Sequence, residues 1–306
     1  MSAQGFPTSL RSWLFVPGDS EKKQVKALGS EADALILDLE DSVAPPAREA
    51  ARAQVARLLS AGSALRGPQL WVRLSAPGGA QVHADLEAVC AGPLPAGLVL
   101  PKVSAAAEII ALCEQLAVRE GGRPPGTPPL RLLVLVTETP AGLLALPGYP
   151  RELGASSIVR RRLAGFTWGA EDLSAALGAT PRDPSGAYTF TFQSARMACV
   201  LAAAALGVQA VDGVYTDFRD ADGLAREAQE GRRDGFTGKL AIHPGQIGAI
   251  NAAFSPSEAE EAHARRVLAA FAAAGGGGVA SLDGQMLDRP HLIRAQRVLA
   301  ARRAPS

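Results

Sequence analysis

Short apolar runs recur along the chain, and each closes on a polar residue followed by turn chemistry. Two set the pattern: Leu132-Leu133-Val134-Leu135-Val136-Thr137-Glu138-Thr139 and Ala164-Gly165-Phe166-Thr167-Trp168-Gly169-Ala170-Glu171-Asp172. Neither keeps a polar face for solvent, which is how a strand buried on both sides of a parallel sheet reads. Comparable runs cover Arg11–Gly18, Ala34–Asp41, Leu70–Leu74, Gly97–Lys102, Val208–Thr216 and Gly238–Pro244. Helical patterns lie between them. Asp19 or Ser20 caps a helix bearing Lys22, Lys23 and Lys26, Pro45-Pro46 opens the next, and Ala195–Leu206 precedes the seventh strand. This alternation predicts an α/β fold, a single (β/α)8 TIM barrel rather than an open doubly wound sheet. No glycine-rich dinucleotide fingerprint follows the first strand.

Beyond the eighth strand the period changes. A long Ala-rich helix over Glu258–Ala274 leads to the glycine run Gly275–Gly278, and then to a tail containing Leu282–His291. The expected organisation is a barrel over residues 1–274 and a C-terminal lid or arm over 275–306, hinged at the glycines. The Gly/Pro-rich segment Gly121–Pro129 reads as a surface loop.

At 306 residues the chain has the length of one such barrel, and 47% hydrophobic residues supply its core. A formal net charge of +1 argues against a nucleic-acid partner held by a general basic surface. No apolar run is long enough to span a membrane, and Pro7 and Arg11 interrupt the N-terminus before a signal segment forms. Cys90, Cys113 and Cys199 lack metal-ligand spacing and read as reduced thiols of a cytoplasmic protein.

The chemistry sits at the strand ends. Glu138 and Asp172 close neighbouring parallel strands, so both aim at one rim, and two carboxylates there make a magnesium site. Arg73 and Lys102 end the third and fourth strands on the same rim. Each has a plainer reading. A carboxylate near a helix N-terminus gains from the dipole, Arg73 could partner Glu40 or Asp41, and the lysines of the first helix could be a solvated face. His243, before Pro244, reads as a rim or core histidine.

Several of these segments together resemble a known family. Arg11-Ser12-Trp13-Leu14-Phe15-Val16-Pro17-Gly18, Leu37-Asp38-Leu39-Glu40-Asp41-Ser42-Val43, Leu100-Pro101-Lys102, Gly169-Ala170-Glu171-Asp172-Leu173 and Ile242-His243-Pro244-Gly245-Gln246 are similar to the citrate lyase β-subunit-like CoA-ester lyases of the HpcH/HpaI aldolase superfamily. The likeness runs from Arg11 to about His291. It implies a (β/α)8 barrel, a Mg2+ ion, and cleavage or formation of a C–C bond in a thioester such as malyl-, citramalyl- or citryl-CoA, with a 2-oxo acid and acetyl-CoA as the other side of the reaction. Carried over by position, Glu138 and Asp172 become the metal ligands, with Glu171 as the neighbour that a one-residue slip would select. Glu138 also faces the substrate, Arg73 holds it, and Phe15, Lys22 and Lys26 contact coenzyme A. The tail aspartate, Asp288, becomes the base acting from a neighbouring subunit, which implies a homo-oligomer, a trimer.

The sequence departs from the family at the Arg-rich stretch Ser156–Arg162, and at Ser75, where relatives commonly carry Asn. Two other readings follow from the same residues. One is a metal-dependent aldolase acting on free hydroxy-oxo acids. The other is the β subunit of a multi-subunit citrate lyase served by an acyl carrier protein.

Overall fold

The computed structural model describes residues 9–62, 67–124, 126–275 and 277–301; Pro7, Pro125 and Gly276 lie outside the described residues. The first half of the barrel runs β1 (Ser12–Pro17), α1 (Glu21–Leu28), β2 (Ala34–Asp38), α2 (Arg48–Gly62), β3 (Gln69–Arg73), α3 (Ala80–Cys90), β4 (Gly97–Leu100) and α4 (Ala106–Arg119). Next come β5 (Arg131–Leu135), the short helices α5 (Pro140–Ala145), α6 (Tyr149–Ala155) and α7 (Ser157–Arg160), and β6 (Leu163–Thr167). The barrel finishes with α8 (Ala170–Leu177), α9 (Phe190–Leu206), β7 (Gln209–Asp212), α10 (Ala221–Asp234), β8 (Gly238–Ala241) and α11 (Ile247–Phe254). Strands β1 to β8 are parallel and close on themselves through β1–β8 pairing. All eight apolar runs are strands of this barrel.

The strands stop sooner than the apolar runs do. β5 ends at Leu135, so Glu138 lies beyond it in the turn to α5. β6 ends at Thr167, and Asp172 sits in the first turn of α8 rather than at a strand end. Turn chemistry explains the difference. Thr139 caps α5 by accepting the Gly142 N–H at 2.9 Å with Pro140 behind it, and Gly169 caps α8, whose first turn favours acidic residues.

Inside the barrel, Trp13, Ile36, Trp71, Val99, Leu133, Leu135, Val211 and Leu240 form one apolar cluster. The Trp13 and Trp71 rings meet edge to face with centroids 4.8 Å apart. Gly97 makes room for this pair, since a Cβ there would lie 2.3 Å from Trp71 Cζ3.

Between β7–β8 and their helices runs a buried ionic network. Lys239 Nζ, fully buried, contacts Asp212 Oδ2 at 3.1 Å and Glu227 Oε1 at 2.9 Å. Arg196 and the Trp168 indole also donate to Asp212, the indole at 2.7 Å. Burial would raise the Asp212 pKa, but Lys239 and Arg196 outweigh it and hold the carboxyl well below its usual range. The Arg-rich departure is structural too. Arg162 is buried, and its guanidinium donates to Glu120 at 2.6 and 3.0 Å and to the Leu130 carbonyl.

The chain divides into two compact units, Leu10–Ile250 and a smaller one containing the chain from Asn251 onward. The second holds α12 (Glu258–Ala273), the antiparallel hairpin β9 (Val279–Leu282) and β10 (Gln285–Asp288), and α13 (Arg289–Ala300). Ala264, Val267, Phe271, Ala280, Leu287 and Ala295 give it a core of its own. The long helix therefore packs with the tail, although the sequence groups it with the barrel. Asp283 and Gly284, both at positive φ, make the hairpin turn. Among the described residues no helix is long and apolar enough to cross a membrane.

Candidate active site

Arg73, the last residue of β3, is buried and lies opposite Asp38 in the β2–β3 register. Its Nε and NH2 donate to the two Asp38 oxygens at 2.7 Å each, a bidentate fork, and NH1 lies 3.0 Å from Glu40 Oε2. The guanidinium also stacks over the Phe15 ring, 4.7 Å from its centroid. Burial alone would raise the Asp38 pKa; Arg73 more than offsets this and lowers it. Glu40 goes the other way, because burial outweighs Arg73 and Lys102. The plain partner of Arg73 is thus Asp38 first and Glu40 second.

Lys102, two residues past β4, has φ of +53°, a left-handed backbone that costs a side-chain-bearing residue about 1–2 kcal/mol. That conformation points its N–H at Glu138 Oε2, 2.6 Å away. Its ammonium reaches Glu40 Oε1 and Asp41 Oδ2 at 2.8 Å each and Asp172 Oδ1 at 3.4 Å. One residue therefore touches both carboxylates singled out by the sequence. Asp172 is the acidic residue of α8 turned to this rim, while the neighbouring Glu171 is exposed.

Glu138 is 3% exposed and lies against Gly169, where an added Cβ would come within 2.9 Å of Glu138 Cγ. The β6–α8 turn can close on Glu138 only through a glycine. Burial first, and the Asp172 and Glu40 charges after it, push Glu138 up to about 8 against the opposing pull of the Lys102 N–H and Arg73. The folded chain thus holds the Glu138 proton across the window from 4.5 to about 8, where an exposed carboxyl has lost it. Its contribution to stability falls as pH rises through that window. In metal-free buffer, Glu138→Gln is expected to gain in Tm relative to the wild type as pH rises from 4.5 to 8. A pH-independent difference would show that Glu138 titrates as an ordinary carboxyl.

Buried Glu138 and partly exposed Asp172 offer hard oxygen donors once Glu138 gives up its proton, a loss that a bound cation favours. This fits a divalent cation that keeps several waters. Among the described residues no group of three or more His, Cys, Asp or Glu side chains is arranged to hold a metal ion.

Residues 11–244 match the HpcH/HpaI aldolase/citrate lyase family. The chain belongs to that family. It is 37% identical over 305 residues to a (3S)-malyl-CoA thioesterase of Cereibacter sphaeroides, covering 98% of this chain and 96% of that one. It is 36% identical over 293 residues to the mitochondrial citramalyl-CoA lyase of Rattus norvegicus, covering 94% and 85%. The crystal structure of CitE from Mycobacterium tuberculosis with magnesium, acetoacetate and coenzyme A superposes with a TM-score of 0.74 at 34% identity, covering 96% of this chain and 98% of that one.

Within this HpcH/HpaI barrel, Arg73, Glu138 and Asp172 are joined through Glu40 and Lys102 at one rim, with Phe15 under Arg73. Lys22 and Lys26 are exposed on α1. Asp288 caps α13 in the second unit, half-exposed, with its Oδ1 2.5 Å from His291 Nδ1. His243 caps a turn through its Nδ1 and stacks on Phe218, as a rim histidine would. Sequence reasoning missed the Asp38–Arg73 fork, although both residues end adjacent strands, and it gave Lys102 no definite part.

Proposed function

We propose that the chain is a Mg2+-dependent CoA-ester lyase that cleaves or forms a thioester such as malyl-, citramalyl- or citryl-CoA, with a 2-oxo acid and acetyl-CoA as partners. The observation that carries this reading is the contact of buried Glu138 with Gly169, the cap of the helix that bears Asp172. In this reading Glu138 and Asp172 hold the ion, and the bound ion supplies Lewis-acid polarisation of the keto-acid carbonyl. Arg73, fixed by Asp38 and Glu40, keeps N–H groups on NH1 and NH2 for the oxygen of the thioester enolate. Phe15, Lys22 and Lys26 take coenzyme A.

A second reading, hydrolysis of malyl-CoA, is supported by the thioesterase relative. Purified protein with Mg2+ and each of the three esters decides between them. Lyase action gives keto acid and acetyl-CoA without free thiol; thioesterase action gives free thiol. Keto acid from none of the esters would refute the lyase reading.

Asp288 is proposed as the base at the thioester methyl carbon, acting on a neighbour's barrel in a homotrimer. The free thiols of Cys90, Cys113 and Cys199 support a cytoplasmic setting. Mixing Asp288→Ala with Glu138→Ala under subunit exchange is expected to restore activity, because some sites then pair an intact rim with an intact tail. No recovery, with exchange verified by mass, would mean the tail serves its own barrel.

A further inference from the structure

We propose that the Lys102 ammonium is a built-in rival of the divalent cation at Asp172. It holds metal affinity down while keeping a positive charge beside the metal for the keto-acid carboxylate. This rests on the reading that Glu138 and Asp172 hold the ion, and it concerns a residue to which that reading gives no part.

Three observations carry it. Lys102 is one of two described non-glycine residues at positive φ, so the fold holds its backbone in an unfavourable conformation to bring this side chain to the rim. Its ammonium is anchored more closely to Glu40 and Asp41, at 2.8 Å, than to Asp172, at 3.4 Å. The ammonium can therefore release Asp172 without leaving the rim. Finally, Arg73 is committed to Asp38 and Glu40, so among the described residues the cation in contact with Asp172 is Lys102. An ammonium so close to a metal ligand repels an incoming divalent ion and attracts an incoming carboxylate.

Calorimetric titration of Mg2+ into wild type, Lys102→Met, Lys102→Gln and Lys102→Arg tests this, with Glu138→Ala as the blank and circular dichroism as the check on folding. Charge removal by Met or Gln is expected to tighten Mg2+ roughly ten-fold and to weaken pyruvate binding to the Mg2+-loaded protein by a similar factor. Lys102→Arg, which keeps the charge, should stay near wild type in both. Unchanged or weaker Mg2+ binding in folded Met and Gln variants would overturn the proposal and leave the metal reading standing. A wild type that binds no Mg2+, or a Glu138→Ala variant that binds it equally well, would overturn both.

Discussion

Glu138→Ala is expected to reduce keto-acid formation to background while the barrel stays folded. The side chain is one of two carboxylates assigned to the ion, and Lewis-acid stabilisation of several kcal/mol goes with it. At about 1.4 kcal/mol per decade that is roughly three orders of magnitude in rate. Stability should survive, because burial already disfavours the ionised form of this group and its removal relieves that penalty. Thermal melts with and without Mg2+ check both halves. The variant should melt at or above the wild-type temperature in metal-free buffer and show no rise on adding Mg2+. Retained turnover with retained metal-dependent stabilisation would place the metal elsewhere.

Asp212→Ala should do the reverse, damaging the fold without touching the rim chemistry. Asp212 accepts from Trp168, Arg196 and Lys239, and Lys239 has no exposed surface. Removing the acceptor leaves a buried ammonium dependent on Glu227 alone. Breaking a buried pair from one side costs about 3–5 kcal/mol, which in a chain of this size lowers Tm by roughly 10 °C. Replacing Asp212→Leu together with Lys239→Met should recover part of the loss, since the fully buried ammonium is gone, while Arg196 and Trp168 still lack the acceptor they had in Asp212. A single variant that melts like wild type would show that the network contributes nothing net.

The barrel was legible because strands covered on both faces read as short, mainly apolar runs with no polar/apolar alternation, even where a buried polar residue such as Asp212 or Lys239 interrupts them. Run length misled at the ends. Val136 and Trp168 are as apolar as the strands before them and just as buried, yet they belong to turns, so Glu138 and Asp172 lie past the strands rather than on them. The hairpin of the second unit carried a signal, Asp283-Gly284 between short runs, that the glycine run next to it overshadowed. The grouping of α12 with the tail was not legible, because Ala264, Val267 and Phe271 would suit a barrel helix equally well. Lys102 is the instructive case. Nothing in Leu100-Pro101-Lys102 announces a left-handed lysine, since that conformation is imposed by the Glu138 acceptor and by three carboxylates from other elements.

The measurement that bears most directly on the central claim replaces Mg2+ with Mn2+ and follows the free and bound ion by electron paramagnetic resonance. The wild type should bind one Mn2+ per barrel, and pyruvate should change the spectrum of the bound ion as it replaces coordinated water. Glu138→Ala and Asp172→Ala should each leave the ion free at the same concentrations. Mn2+ bound equally tightly by either variant, or a bound spectrum indifferent to pyruvate, would contradict the assignment of these two carboxylates as the metal centre of a CoA-ester lyase.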